Sequence, residues 1–367
     1  MQTNKRRNSN IELLRIIAII LITFNHVATK GIELSHNVIC EGWNTELNNF
    51  LALFYSCGGK FGSNIFLIIT VWYISDKKTQ WTKIVSVWYQ TLIYYLFFNI
   101  VGMIIDRKFD VIRLVKSFFP IITSNYWYSR AYIMLLLVFP VVTRIFNRIK
   151  HKREICLLGT FVFLIPIVSN LVNDSFHVIL KISSILSREE LWFIFFAVLI
   201  YYIRNNIRIT NIPAITYLLL SIALYILMWI IVLVCFYNYF PYSIWRNLYS
   251  PLNYLSALFL FLGFIQLPVR HNVMVNYFAG YVYGVYLFQC HNYVQTIIWK
   301  GKFGIFQYQS WYGQSALKFA IYSVISVCII VMLGAIFEML YKKILIIPLK
   351  EIMNVRRKKT YRMDRYV

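Results

Sequence analysis

Long apolar runs, each closed by a short polar or basic segment, recur along this chain. Crossing roughly 30 Å of hydrocarbon at 1.5 Å rise per residue takes about 20 residues of helix. Runs of that kind predict spans over residues 11–29, 48–74, 84–105, 126–146, 155–171, 189–204, 214–236, 251–267, 275–298 and 316–341. The fold class is therefore all-α: a polytopic transmembrane bundle of about ten spans, one domain over residues 1–367 with a basic tail at about 342–367. Asn170 to Arg188 reads as an external loop. Val111 to Phe119 alternates basic and apolar residues and reads as a segment lying in the interface.

Composition narrows the solvent. The chain is 59% hydrophobic and 14% charged, against roughly 25% charged in soluble domains, so it could not cover itself with a polar surface in water. Mean hydropathy is +0.61. The 29 Phe, 28 Tyr and 10 Trp suit a bilayer, whose headgroup boundary favours amphipathic rings.

The net charge of +23 does not point to nucleic acid, because Lys and Arg stand in short runs between apolar segments rather than on one domain face. It sets orientation instead. With the N-terminus inside, about 23 of the 37 Lys and Arg fall in internal segments and about 11 outside, which predicts an even number of spans and both termini cytoplasmic. Lys5, Arg6 and Arg7 precede the first run as in a signal peptide, but Arg15 interrupts the run and no small-x-small cleavage site follows, so it reads as a retained helix. The six cysteines have neither a CxxC pair nor metal-ligand spacing, and no metal site is expected.

Within the first span Arg15 and His26 are eleven residues apart. At 100° per residue they return to within about 20° of one helix face, about 16 Å apart along it. An ionisable group in hydrocarbon is costly, so this face is expected to look into a bundle interior or a wet cavity. The competing account has Arg15 snorkelling to the cytoplasmic headgroups and His26 ending in outer water. Histidine is the side chain suited to proton transfer near neutral pH, and Arg15 could engage a phosphorylated donor from the cytoplasmic side.

The segment Asn10-Ile-Glu-Leu-Leu-Arg15 through to Asn25-His26 resembles the acyltransferase-3 family, whose first span carries Arg or Lys, ten residues, then His. Lys60-Phe-Gly-Ser-Asn64 through Tyr73, Tyr126-Trp-Tyr-Ser-Arg130 through Pro140, and Gly284-Val-Tyr-Leu-Phe-Gln289-Cys-His291 are similar to later segments of the family. Two departures stand out. Thr70-Val71 occupies the place of the family's Ser-Gly, and Gln289 stands where the family commonly has His, with His291 rotated from it by about 200° on a helix.

The resemblance implies a membrane O-acyltransferase moving an acetyl group from acetyl-CoA to a hydroxyl of a surface or lipid-linked polysaccharide sugar, with no permanently bound cofactor. It implies His26 and Arg15 as the catalytic pair. Lys77, Lys78 and Lys83 are candidates for the phosphates of coenzyme A, or else mark positive-inside topology. Lys60 and Asn64, one turn apart, could face the pore; Trp127 and Tyr128 could stack on a sugar or anchor the interface; Gln289 and His291 are substrate-side candidates. Glu338 is expected to meet Lys342 at i+4 and to lie outside the site. The expected partners are an acyl-CoA, a glycan and the bilayer of a bacterial cytoplasmic membrane. The rival readings are a polysaccharide transporter or flippase, a lipid-linked sugar polymerase, and a catalytically divergent family member.

Overall fold

A computed structural model describes residues 7–33, 43–75, 80–123, 126–148 and 188–346. The expected span at 155–171, most of the expected external loop before Arg188, Lys77, Lys78 and the tail beyond residue 346 lie outside the described residues.

Every regular element among the described residues is helical. The main ones are α1 (Ser9–His26), α2 (Trp43–Ile74), α3 (Trp81–Ile105), α4 (Trp127–Arg148), α5 (Arg188–Asn206), α6 (Ala214–Tyr237), α7 (Pro251–Gln266), α8 (Val273–Ala279), α9 (Val282–Cys290), α10 (Asn292–Ile298) and α11 (Ala316–Tyr341). Among the described residues, five segments are long and apolar enough to cross a membrane: Ser9–Gly31, Glu46–Ile74, Trp81–Ile105, Ala214–Tyr237 and Ala316–Ile346. The described residues are thus all-helical, and the chain is a multi-pass membrane protein. On α6, Leu219, Ile222, Ile230 and Val234 are exposed, and on α11 so are Leu317, Ile321, Ile325 and Met332, as lipid-facing helices require.

The expected continuous span at 275–298 is instead three short helices. Gly280 and Tyr281 separate α8 from α9. His291 then takes extended backbone, φ −69° and ψ 132°, and its Nδ1 accepts from the Tyr293 amide at 3.1 Å, capping α10. An apolar run does not reveal such a break, because the polar cap is a single side chain. Val111–Ser117 forms a short helix capped by Asp110, whose carboxylate accepts from the Arg113 amide at 3.0 Å, and Val111, Ile112 and Val115 are exposed on it. Glu338 meets Lys342 at 3.2 Å as expected, and also accepts from the Tyr94 hydroxyl at 2.8 Å and the Gln90 amide at 2.7 Å.

α1 and α2 form the spine. One buried cluster joins them to α6, α9 and α11 through Ile19, Leu53, Phe236, Leu287 and Ile330. A second joins them to α4, α5 and α7 through Leu14, Ile68, Leu135, Phe196 and Phe261. The start of α1 is tied to the α7–α8 turn: the Ser9 amide donates to the Arg270 carbonyl at 3.1 Å, and Asn10 Nδ2 to the Pro268 carbonyl at 2.9 Å. The two helices approach closely where α2 presents Gly58 and Gly62. A Cβ on Gly62 would sit 2.6 Å from the Ala18 carbonyl oxygen, and one on Gly58 2.9 Å from that of Leu21. Close approach is thus secured about two to four turns before Thr70-Val71, which stands in the place of a Ser-Gly pair.

Replacing Gly62 by Val is expected to cost about 1–3 kcal/mol by overpacking, seen as a fall of several degrees in the thermal unfolding midpoint of purified protein in detergent. Gly313→Ala, whose Cβ would find its nearest neighbour at 3.8 Å, is the control expected to leave the midpoint in place.

Candidate active site

The face that carries Arg15 and His26 opens onto a cavity of about 650 Å³. Its wall follows α1 and the turn after it from Arg15 to Thr29, fourteen residues and roughly 20 Å of rise. It is completed by α2 (Ser56 to Ile74), the start of α3, Trp127, Tyr128 and Tyr132 of α4, the Ser243–Asn247 turn, and Tyr283, Tyr286 and Cys290 of α9. A run of rings, Phe66, Tyr73, Trp127, Tyr128, Tyr132, Tyr283 and Tyr286, lines it. Arg15, Lys60, Lys83 and Arg246 face it, and no carboxylate is on its wall among the described residues.

His26 is the last residue of α1 before the backbone widens into a π-helical turn over Val27–Gly31. It is buried, with Nδ1 3.3 Å from Gln289 Oε1 and its ring edge-on to Trp299 at 5.5 Å. Trp299 in turn donates its indole N–H to the Gln289 carbonyl at 3.2 Å, which steadies that residue. An amide oxygen offers lone pairs alone, so the tautomer with hydrogen on Nδ1 satisfies this contact and leaves Nε2 with its lone pair.

Arg15 Nη1 lies 3.2 Å from Glu12 Oε2, one turn earlier. Lys60 Nζ stands 4.0 Å above the Trp127 ring centre and 3.9 Å from Glu189 Oε1. Lys83 Nζ lies 5.3 Å from the Tyr132 ring, on the same wall as Arg15. A cation over an aromatic face is attracted by the ring's quadrupole, and an ammonium so placed on a cavity wall is suited to holding an anionic or polar ligand. Trp127 and Tyr128 are both on the wall, their rings at 82° to each other, and the Tyr128 amide donates to the Tyr286 hydroxyl at 3.2 Å.

The structure therefore brings together Arg15, His26, Lys60, Lys83, Trp127 and Tyr128, with Gln289 behind the histidine. Asn64 is not on the wall, which corrects the expectation that it shares the pore with Lys60. It is fully buried; its Nδ2 donates to the Leu248 carbonyl at 2.9 Å and to Asn253 Oδ1 at 3.1 Å, and its Oδ1 accepts from the Trp192 indole at 3.2 Å. His291 is not on the wall either. Its ring packs among Tyr95, Phe98 and Tyr126 while Nδ1 caps α10.

Several wall or partner residues were missed by sequence reasoning. Glu12 had a signal, since it lies at i,i+3 from Arg15 on one face. Glu189, Tyr132, Tyr283 and Arg246 had none, because long-range packing alone brings them here.

Compared with models of protein families, residues 8–335 match the one described as an acyltransferase domain. Searches among curated proteins and among solved structures found no match.

The split between wall and core is open to test. Asn64→Ala would strand three buried partners and is expected to lose about 1–3 kcal/mol of stability, whereas neighbouring Ser63→Ala, whose hydroxyl donates to the Gly59 carbonyl within its own helix, is expected to melt near the parent. Denaturation midpoints in detergent make the comparison.

Proposed function

This chain belongs to the acyltransferase-3 family, and from that premise we propose that it is a membrane O-acyltransferase carrying acetyl from cytoplasmic acetyl-CoA to a sugar hydroxyl on the far side of the membrane. The acceptor in this reading is a surface or lipid-linked polysaccharide, and the membrane a bacterial cytoplasmic one. The observation that carries the reading is the single cavity that has Arg15 toward one end of α1 and His26 toward the other. An extended pantetheine arm fits a channel of that length.

In this reading Arg15 and Lys83, with Lys77 and Lys78 in the adjoining segment, bind the phosphates of the donor. Lys60, Trp127 and Tyr128 contact the acceptor sugar. His26 Nε2 removes the hydroxyl proton as the oxygen attacks the thioester carbonyl carbon. The tetrahedral intermediate collapses with cleavage of the C–S bond, and the imidazolium returns its proton to the departing thiolate of coenzyme A. Gln289, by accepting from Nδ1–H, positions the ring for this exchange and stabilises the imidazolium.

The topology proposed is ten spans with both termini cytoplasmic. It is supported by the Lys and Arg bias and by the tie of the α1 start to the α7–α8 turn, which puts those ends on one side.

Transfer of labelled acetyl by matched amounts of folded variants tests the roles. His26→Ala is expected to lose 10² to 10⁴ in kcat with donor binding retained. Arg15→Ala is expected to raise the donor KM, with Arg15→Lys recovering part of it. Replacing Lys77, Lys78 and Lys83 together by Gln is expected to raise the donor KM while kcat stays within a few-fold. An active His26→Ala protein would remove the base assignment. A transporter or polymerase would show no donor-dependent thermal shift.

A further inference from the structure

At the end of the cavity away from Arg15, one cation has no counter-charge among the described residues. Arg246 lies on the cavity wall in the turn before α7, and its Nη1 is buried with no hydrogen-bond partner among the described residues. Arg15 has Glu12 and Lys60 has Glu189, but among the described residues no carboxylate pairs with Lys83, at the Arg15 end, or with Arg246. Its stem is held in place all the same. Asn253 Nδ2 donates to its backbone carbonyl at 3.2 Å, and the guanidinium lies 4.9 Å from the Tyr242 ring centre. The neighbouring Asn247 is engaged elsewhere: its Oδ1 accepts from the Leu248 amide and its Nδ2 donates to the Tyr249 hydroxyl, both at 2.8 Å.

A guanidinium stays protonated, and burying it without a partner is unfavourable unless a ligand completes the pairing. Its planar fork matches the two oxygens of a carboxylate or phosphate. The phosphates of a donor bound at Arg15 do not reach this point: α7 runs roughly 24 Å from the Arg246 turn to the contact with Asn10, and Arg15 stands five residues, about 8 Å, back along α1, which leaves about 16 Å between the two levels. Resting on the acyltransferase reading, we infer that the acceptor glycan carries an anionic group, carboxylate or phosphate, and that Arg246 binds it and selects acidic acceptors over neutral ones.

The test uses full-length protein in detergent and three oligosaccharides of one backbone: one with uronic-acid residues, its carboxyl-reduced neutral counterpart, and the neutral form bearing a phosphate monoester. Binding is measured by calorimetry and acetyl transfer by label. One or both acidic probes are expected to bind the parent about 10- to 100-fold more tightly than the neutral one, the range of a charged hydrogen-bonded pair. The stronger of the two identifies the anion. Arg246→Gln is expected to abolish the preference, and Arg246→Lys to keep part of it.

Equal binding of all three by the parent, or a preference that survives in Arg246→Gln, overturns the inference. Should Arg246→Gln not fold, an undiminished preference in Arg246→Lys overturns it, because the fork would then be irrelevant. Selective binding of an acidic glycan that is never acetylated would refute the acyltransferase reading while leaving the anion site in place. Transfer without acid preference would do the reverse.

Discussion

A polar or charged group inside hydrocarbon has to find a partner, and the ways this chain meets that demand organise its structure. Arg15 takes Glu12 from its own helix, and Lys60 takes the face of Trp127 with Glu189 alongside. Asn64 is satisfied three times over in the packed core between α2, α5 and the turn before α7. Glu338 collects a tyrosine, a glutamine and a lysine. His26 has Gln289 at one nitrogen and the cavity beside it. Asn64 and Glu338, whose bonding is spent inside the protein, hold helices together, whereas Arg15, His26 and Lys60 stand on the cavity wall, where a ligand can meet them.

The cavity exists because α1 and α2 pack so tightly elsewhere. At Gly58 and Gly62 the helices leave no room for a side chain, and this contact fixes the rotation of α1 about its axis. Arg15 and His26, eleven residues apart, are then presented to the same space, while Leu14 and Ala18 are turned into the core. The widened turn after His26 and the break at His291 shape the far side, where α9 ends and brings Gln289 up to the histidine. Regular helices provide the span, and their interruptions place the chemistry.

Features of short range were legible in the sequence. Apolar runs located α1, α2, α3, α6 and α11; the eleven-residue spacing put Arg15 and His26 on one face; and the i+4 spacing paired Glu338 with Lys342. Long-range relations were not legible. Lys60 and Asn64 are one turn apart and look equivalent along a helix, yet Trp192 and Asn253, more than a hundred residues away, draw Asn64 into the core while Lys60 stays on the wall. Arg246 carries no signal of its own in the sequence, because the burial that gives it meaning comes from the assembled cavity. The break between α9 and α10 was hidden in an apolar stretch, since His291 looks the same as a cap or as a ligand until its backbone angles are known.

The central claim is that one cavity lets a donor and an acceptor react from opposite sides of the membrane. Sealed vesicles of known protein orientation, loaded on the cytoplasmic-facing side with labelled acetyl-CoA and given glycan on the other side alone, test it directly. The account predicts labelled glycan in the acceptor compartment while the donor stays confined to its own. Labelling that appears only when donor and acceptor share a compartment would contradict it.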